Sequence, residues 1–288
     1  MLTKEQFAQR LRQGVHLLDG ATGSNLRAAG MPKGCCTEQW VLEHPEPLVA
    51  LQRAYAAAGA QILYAPTFQA QPIALASIGW EARTEQVNEM LVALTRSAAP
   101  GCLIAGDLTT LATFCDSWDP DCFDLLVENY RRQIRGLMAG GADLLVGETL
   151  LYQQEAEAIL TAAELEGAGA VLYSFTMQPD GSLFSGAEAG PILAELEQAG
   201  AAAVGFNCVA ADMMTPYLVT KLRRYVKGPL ICKPNAGIPA IGADGIAHYA
   251  MTAEEFADIS GQCRRNGADL LGGCCGTTPA HIQALAAL

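Results

Sequence analysis

Positively charged residues are scarce in this sequence of 288 residues. Lysine and arginine number 18 against 30 aspartates and glutamates, which gives a net charge of −12 and an isoelectric point near 4.7. A chain this acidic is poorly suited to holding phosphate backbones or an anionic membrane surface. The composition therefore argues against nucleic acid and membranes as partners.

Long apolar runs and targeting segments are also missing. No uninterrupted apolar run approaches the roughly 18 residues that a membrane-spanning helix needs. Residues 1–7 are amphipathic and lack the apolar segment of a signal peptide. We therefore expect a soluble, cytoplasmic protein, in which disulfides between the ten cysteines are disfavoured. The sequence has no Ser/Pro-rich linker either, so residues 1–288 are predicted to form one domain.

What the sequence does contain is a recurring pattern, in which a helical stretch is followed by Gly or Gly-Ala and then by a short apolar run. Glycine often ends a helix because it adopts the left-handed conformation, and a strand buried on both faces is continuously apolar. The pattern occurs at residues 58–65, 140–147, 167–174, 199–206 and 266–273.

Strands and helices are predicted to alternate along the whole chain. The strands are expected at about 15–19, 61–66, 102–106, 143–147, 170–175, 202–207, 229–233 and 268–272. The helices are expected at 47–58, 84–98, 122–139, 153–166, 191–198, 212–226, 253–265 and 279–287. Such alternation requires parallel strands with right-handed crossovers. The predicted fold is α/β, a single (β/α)₈ TIM barrel, with a doubly wound open sheet as the alternative.

Polar residues cluster where the predicted strands end. In a (β/α)₈ barrel these carboxyl ends form one rim, which carries the chemistry. The strand ends are Asp19-Gly20, Pro66-Thr67-Phe68, Asp107, Glu148-Thr149, Ser174-Phe175-Thr176, Asn207-Cys208, Lys233-Pro234-Asn235 and Gly273-Cys274-Cys275-Gly276. Carboxylates, amide groups and three thiols are therefore predicted to meet at this rim.

The three thiols are the most specific feature of the rim. Cys208 follows the sixth strand, and Cys274 and Cys275 follow the eighth. Three thiolates suit Zn²⁺, which prefers soft ligands in tetrahedral geometry, and a fourth, open position is typical of a catalytic zinc site. The alternative is a redox pair at Cys274-Cys275 or at Cys35-Cys36, which would hold no stoichiometric zinc.

Four segments resemble the zinc-dependent homocysteine S-methyltransferases, a family that includes the homocysteine-binding module of cobalamin-dependent methionine synthase and betaine–homocysteine methyltransferase. The segments are 18–24, 205–208, 233–237 and 272–279. The most specific combination is Asn207-Cys208 with the later Gly-Gly-Cys-Cys-Gly-Thr-Thr-Pro of residues 272–279. Together the four segments span nearly the whole chain.

The resemblance implies a zinc cofactor and a homocysteine substrate. Cys208, Cys274 and Cys275 would hold Zn²⁺, and the thiolate of homocysteine, activated by the metal, would accept a methyl group to give methionine. Asp19 and Glu148 are implied to lie near the amino group of the substrate. The predicted substrate-binding residues are Asp19, Gly20, Thr67, Glu148, Asn207 and Asn235. No catalytic residue is predicted beyond the activated thiolate itself.

Three segments depart from the family pattern and leave the methyl donor open. Pro66 removes a hydrogen-bonding group after the second strand, and neither the loop 107–118 nor the segment 31–40 with Cys35-Cys36 matches the family. The donor is expected to be either a small sulfonium or betaine compound or a methylated corrinoid. Because no cobalamin module follows Leu288, a corrinoid is expected on a separate protein. A non-catalytic thiol-binding subunit and a different thiol acceptor are the alternative functions.

Overall fold

A computed structural model describes residues 1–14, 16–242 and 246–288. In this part of the chain seven parallel strands form one curled sheet in the order β1-β2-β3-β4-β5-β6-β9, and β7 and β8 form a small antiparallel hairpin. The strands are β1 (Ile62–Tyr64), β2 (Leu103–Thr109), β3 (Leu144–Leu150), β4 (Val171–Phe175), β5 (Ala203–Ala210), β6 (Leu230–Asn235), β7 (Ala240–Ile241), β8 (Ala247–His248) and β9 (Leu270–Leu271).

Two single-residue bridges join the two edges of this sheet. Leu17 pairs in parallel with Leu271 of β9, and Leu18 pairs in parallel with Ile62 of β1. The backbone N–H of Leu18 donates to the Leu271 carbonyl over 2.7 Å. The curled sheet is thereby closed, which confirms the predicted barrel and shows that the open-sheet alternative is wrong. The strand predicted at 15–19 needs correction, since only these bridges form there, and residue 15 lies outside the described residues.

Helices follow the strands around the barrel. They are α1 (Lys4–Arg12), α2 (Gly23–Ala28), α3 (Thr37–Glu43), α4 (Pro45–Ala57), α5 (Pro72–Leu75), α6 (Thr84–Ala98), α7 (Phe123–Ala139), α8 (Gln153–Glu166), α9 (Ala189–Gln198), α10 (Thr215–Arg223), α11 (Ala253–Arg265) and α12 (Pro279–Ala286). All eight predicted helices are present, and α6, α8 and α11 have the predicted bounds.

Sequence patterns missed four helices, α1, α2, α3 and α5, and misplaced the start of α10. The predicted start at Asp212 is three residues early because the Asp212 side chain accepts hydrogen bonds from the backbone N–H groups of Met214 and Thr215. A short polar side chain that binds the backbone in this way favours a turn over a continuous helix.

The apolar core has two layers, because every strand of the sheet is covered on both faces. One cluster fills the barrel with side chains such as Ile62, Val146 and Ile231, and a larger one lies between the sheet and the outer helices. Phe7 and Leu11 of α1 belong to the inner cluster. Helix α1 therefore seals the amino-terminal end of the barrel and leaves the carboxyl-terminal end for the site.

Within residues 1–14, 16–242 and 246–288, none of the helices combines the length and the hydropathy that a membrane span requires.

Candidate metal and substrate site

Side-chain alternation along the strands places a charged layer directly above the apolar interior of the barrel. Val146 and Ile231 belong to the inner cluster, and side chains two residues apart on a strand point to the same face. Glu148 and Lys233 lie two residues further along β3 and β6, and Asp107 takes the corresponding place on β2. All three charged residues are buried. The interior thus changes from apolar to charged within one layer.

The three predicted thiols meet next to this layer. The Sγ atoms of Cys208, Cys274 and Cys275 all lie within 4.8 Å of one another. Zn²⁺ bound by thiolates at about 2.3 Å in tetrahedral geometry places its sulfur ligands about 3.8 Å apart. The arrangement therefore fits a tetrahedral zinc ion with only small side-chain adjustments.

Two strained backbone positions direct the site residues. Cys208 and Thr149 are the described non-glycine residues with positive φ, at 57° and 59°. Each lies in a register shift, between Asn207 and Ala210 on β5 and between Gly147 and Leu150 on β3. Such bulges re-aim side chains, and left-handed conformations of ordinary residues cluster at functional sites.

The side chain of Asn207 joins the two bulges. Its Oδ1 accepts hydrogen bonds from the Thr149 backbone N–H over 2.9 Å and from the Ser174 hydroxyl over 2.8 Å. Its Nδ2 donates to Thr149 Oγ1 over 2.7 Å and lies 3.8 Å from the Cys274 sulfur. Asn207 therefore fixes the backbone that carries Glu148 and holds a sulfur of the cluster. Its predicted contact with the substrate stays a prediction.

The loop after β9 is held on several sides. Its Cys274 backbone N–H donates to the Pro234 carbonyl over 2.7 Å, and the Thr277 hydroxyl donates back to the Cys274 carbonyl over 2.8 Å. Gly276 has a φ of 80°, and a β-carbon there would collide with the ring of Tyr249. Glycine is required at this position by both backbone conformation and space. The loop thus presents two adjacent sulfurs in a fixed orientation.

The sulfurs share their protons unequally. Hydrogen bonds from the thiols of Cys208 and Cys274, together with one from the hydroxyl of Tyr249, lower the pKa of Cys275 to about 3. The pKa of Cys208 is raised far above its ordinary value, because its S–H donates to the other two sulfurs. The cluster thus stabilises a thiolate, which is the form that binds metal.

Lys233 lies between the two carboxylates that were predicted to bind the substrate ammonium. Its Nζ is 3.0 Å from Glu148 Oε1 and 3.7 Å from Asp19 Oδ1, and it stands 4.7 Å from the ring centroid of Tyr64. Burial alone would lower the pKa of Lys233, but Glu148 and Asp19 outweigh it and hold that pKa well above its ordinary value. Burial raises the pKa of Asp19 to about 7, although Lys233 acts in the opposite direction.

A cavity of about 660 Å³ opens above this layer. Gly20 and Glu148 line it, together with all three cysteines, and their contacts with a substrate stay predictions. A β-carbon on Gly20 would lie 2.6 Å from the hydroxyl of Tyr55, so the wall needs glycine there. The cavity is large enough for an amino acid and for part of a second molecule.

Thr67 and Asn235 are both buried. Thr67 is fully buried, and its hydroxyl donates to the Asp107 carbonyl over 2.9 Å and accepts from the Asp107 N–H over 3.0 Å. The buried Oδ1 of Asn235 has no hydrogen-bond partner among the described residues. The predicted substrate contacts of both residues stay predictions.

Sequence reasoning missed two further residues of the cavity wall. Glu38 of α3 is buried, and its carboxylate accepts hydrogen bonds from the Gln69 backbone N–H over 2.7 Å and from the Cys36 thiol over 3.3 Å. Tyr249 lies beside Cys275. The segment 31–40 contains no recognisable motif. The only feature that could have pointed to Glu38 is its position two residues after Cys35-Cys36. Cys35 and Cys36 are both free thiols.

Comparison with known proteins places this site in a family. A family model described as homocysteine S-methyltransferase matches residues 16–288. The chain belongs to the homocysteine S-methyltransferase family. Its fold and thiol cluster agree with the methyl transfer to homocysteine after which the family is named.

Individual relatives have similar sequences and folds. The homocysteine methyltransferase MmuM from Escherichia coli is 28% identical in its oxidized form, with a TM-score of 0.82 over 98% of this chain and 99% of that one. Its metallated form is 29% identical, with a TM-score of 0.81 over 97% and 98% of the two chains. Methionine synthase from Mycobacterium tuberculosis is 29% identical over 96% of this chain and 25% of its own length. The chain thus spans about a quarter of the length of the curated methionine synthases that it matches.

Proposed function

We propose that this homocysteine S-methyltransferase family member is a zinc enzyme that methylates the thiol of homocysteine to give methionine. The observation that carries the proposal is the set of three sulfurs, from Cys208, Cys274 and Cys275, within 4.8 Å of one another at a cavity wall. The metallated form of the E. coli relative supports a metal in this family. We also propose that residues 1–288 act as one domain.

The role of each residue in the site follows from the chemistry of its side chain. Cys208, Cys274 and Cys275 would hold Zn²⁺, which lowers the pKa of an incoming thiol and fixes its sulfur as a nucleophile. Asn207 keeps the two bulges in place. Lys233 contacts Glu148 and Asp19, and the carboxyl oxygens that Lys233 leaves unpaired can accept hydrogen bonds from an ammonium group. The amino-acid end of homocysteine is thereby oriented relative to its sulfur.

The surroundings of the cavity favour a methyl donor that is delivered by a protein. Large apolar side chains on the loops that follow β2, β4, β5 and β6 are exposed: Trp118, Phe184, Met213 and Ile238. In a parallel barrel these loops lie on the same rim, and exposed apolar side chains in number are typical of protein interaction sites. We propose a methylated corrinoid on a separate protein as the donor, and a small sulfonium or betaine compound as the second candidate.

A donor panel tests this function. The zinc-loaded protein is incubated with homocysteine and, in separate reactions, with S-methylmethionine, S-adenosylmethionine, betaine or a methylcorrinoid protein, and methionine is measured by mass spectrometry. We expect methionine with the methylcorrinoid protein. Methionine formed only with a small donor would exclude the partner and keep the methyl transfer. No methionine with any donor would contradict the proposed function and favour a non-catalytic thiol-binding subunit.

A further inference from the structure

A second groove opens at the amino-terminal end of the barrel and has a volume of about 740 Å³. Its wall includes residues 59–61, residues 98–102 and Asp143, which directly precede β1, β2 and β3. Parallel strands begin at one end of a barrel and finish at the other, so this amino-terminal groove lies opposite the cavity that contains the three cysteines. Sites for small molecules commonly have volumes of roughly 300–1,000 Å³. The groove is therefore large enough for a small organic ligand.

The charged side chains of this groove are mainly positive. Arg10, Arg53 and Arg96 line it together with one acidic residue, Asp143, although the whole chain has a net charge of −12. Arg10 lies in the last turn of α1 and Arg53 on α4. Neither side chain has an ion-pair or hydrogen-bond partner among the described residues. A cleft lined by charges of one sign raises the local concentration of counter-ions, so the groove attracts anions in an otherwise acidic protein.

Arg96 differs from the other two arginines because its neighbours already hold it. Its Nη1 donates to the Cys102 carbonyl over 2.9 Å, and its guanidinium forms an ion pair with Asp143. The charges of Arg96 and Asp143 cancel, so this pair forms a fixed and neutral part of the wall. The positive charges of Arg10 and Arg53 are left for a ligand.

We propose that the amino-terminal groove binds a small phosphate monoester through Arg10 and Arg53. A phosphate monoester carries about 1.5 to 2 negative charges at pH 7, which matches two guanidinium groups, and its terminal oxygens accept paired hydrogen bonds from them. A carboxylate has a single charge and would leave one of the two arginines unpaired. The remaining volume of the groove accommodates the organic part of the ester. The inference goes beyond methyl transfer, because no described residue lines both this groove and the thiol cavity.

Isothermal titration calorimetry with glycerol 3-phosphate tests the groove directly. The full zinc-loaded chain should bind this ester at a single site, whereas glycerol, which lacks the phosphate, should not bind. We expect the double substitution Arg10→Gln and Arg53→Gln to weaken the binding of the ester at least roughly 100-fold, because each arginine contributes charged hydrogen bonds worth a factor of about ten or more. Succinate, whose two charges lie on separate carboxylates, should bind to wild type at least about tenfold more weakly than the ester.

The double substitution Arg264→Gln and Arg265→Gln is the matched control, because it removes the same amount of positive charge. Both arginines are exposed in the last turn of α11 and do not line the groove. This control should bind the ester within about twofold of wild type, since salt screens distant charges. The inference is overturned if wild type does not bind the ester, if the two double variants weaken it equally, or if succinate binds as tightly. Circular dichroism verifies that each variant is folded, as expected for substitutions of exposed side chains.

Discussion

Replacing Cys208 with serine is expected to release the metal and abolish methyl transfer together. Cys208 comes from β5, whereas Cys274 and Cys275 are adjacent on the loop after β9. Without Cys208, two neighbouring sulfurs remain, and a thiol has become a hydroxyl, which is a much weaker ligand for Zn²⁺. Turnover should fall more than about 100-fold, beyond the effect of losing a residue that only orients a ligand. Zinc per protein by plasma mass spectrometry and methionine formation measure the two effects.

Cys102→Ser is the matched control for this variant. Cys102 is half-buried like Cys208, and its thiol donates to the Ala60 carbonyl over 3.3 Å. It lies just before β2, at the opposite end of the barrel from the site, so this variant should keep both zinc and activity. A Cys208→Ser protein that is fully loaded with zinc and active would refute the assignment of Cys208 as a ligand.

Replacing Lys233 with methionine is expected to have the second-largest effect, this time on stability. Lys233 is 3% exposed and contacts the buried carboxylates of Asp19 and Glu148. Removing one partner of a buried ion pair leaves an uncompensated charge and costs roughly 3–5 kcal/mol of unfolding free energy. Urea denaturation of the metal-free wild type and variant measures the loss.

The loss should depend on pH in a defined direction. Burial raises the pKa of Asp19 to about 7 from an unfolded value near 3.8, and Lys233 limits that rise. Without Lys233 the folded-state pKa rises further, so the folded variant retains a proton that the unfolded chain releases above pH 3.8. Stability of the variant relative to wild type is therefore lost as pH rises. The destabilisation should be larger at pH 8.5 than at pH 5.5.

Lys221→Met provides the control for this prediction. Lys221 pairs with Glu188 at 3.5 Å on the surface, where ion pairs contribute little. Its removal should change the unfolding free energy by less than about 1 kcal/mol, with no comparable dependence on pH. An equal effect of the two substitutions, or a Lys233→Met protein that is more stable at pH 8.5 than at pH 5.5 relative to wild type, would contradict the account of the charged layer.

The sequence predicted the barrel and the thiol cluster for a common physical reason. Parallel strands bring their carboxyl ends to one rim whatever the exact strand bounds are. Cys208 lies near the end of β5 and Cys274 follows β9. Helices α10 and α11 and the strands β6 to β9 lie between them in sequence, yet their sulfurs lie within 4.8 Å of one another. The pattern of glycine-terminated helices and apolar strands likewise predicted most of the helices and strands of the barrel.

The side-chain contacts inside the rim could not be predicted from sequence patterns. Lys233 was part of a recognised motif, but its ion pairs depend on which face of β6 it occupies, and a shift of one residue reverses the face. The bulges at Thr149 and Cys208 produce such shifts. Asp107 was identified as a strand end, and only the structure reveals that its Oδ1 is buried and without a described hydrogen-bond partner. Short helices such as α2 and α3 were missed because their apolar periodicity covers less than two turns.

Zinc K-edge X-ray absorption tests the central claim most directly, because it counts the sulfur atoms around the metal. For the zinc-loaded protein we predict three sulfur ligands at about 2.3 Å. Addition of homocysteine should raise the count to four, at an unchanged zinc content. A first shell made of nitrogen and oxygen, or a sulfur count that homocysteine does not change, would contradict the proposal that Cys208, Cys274 and Cys275 hold the metal that activates the acceptor thiol.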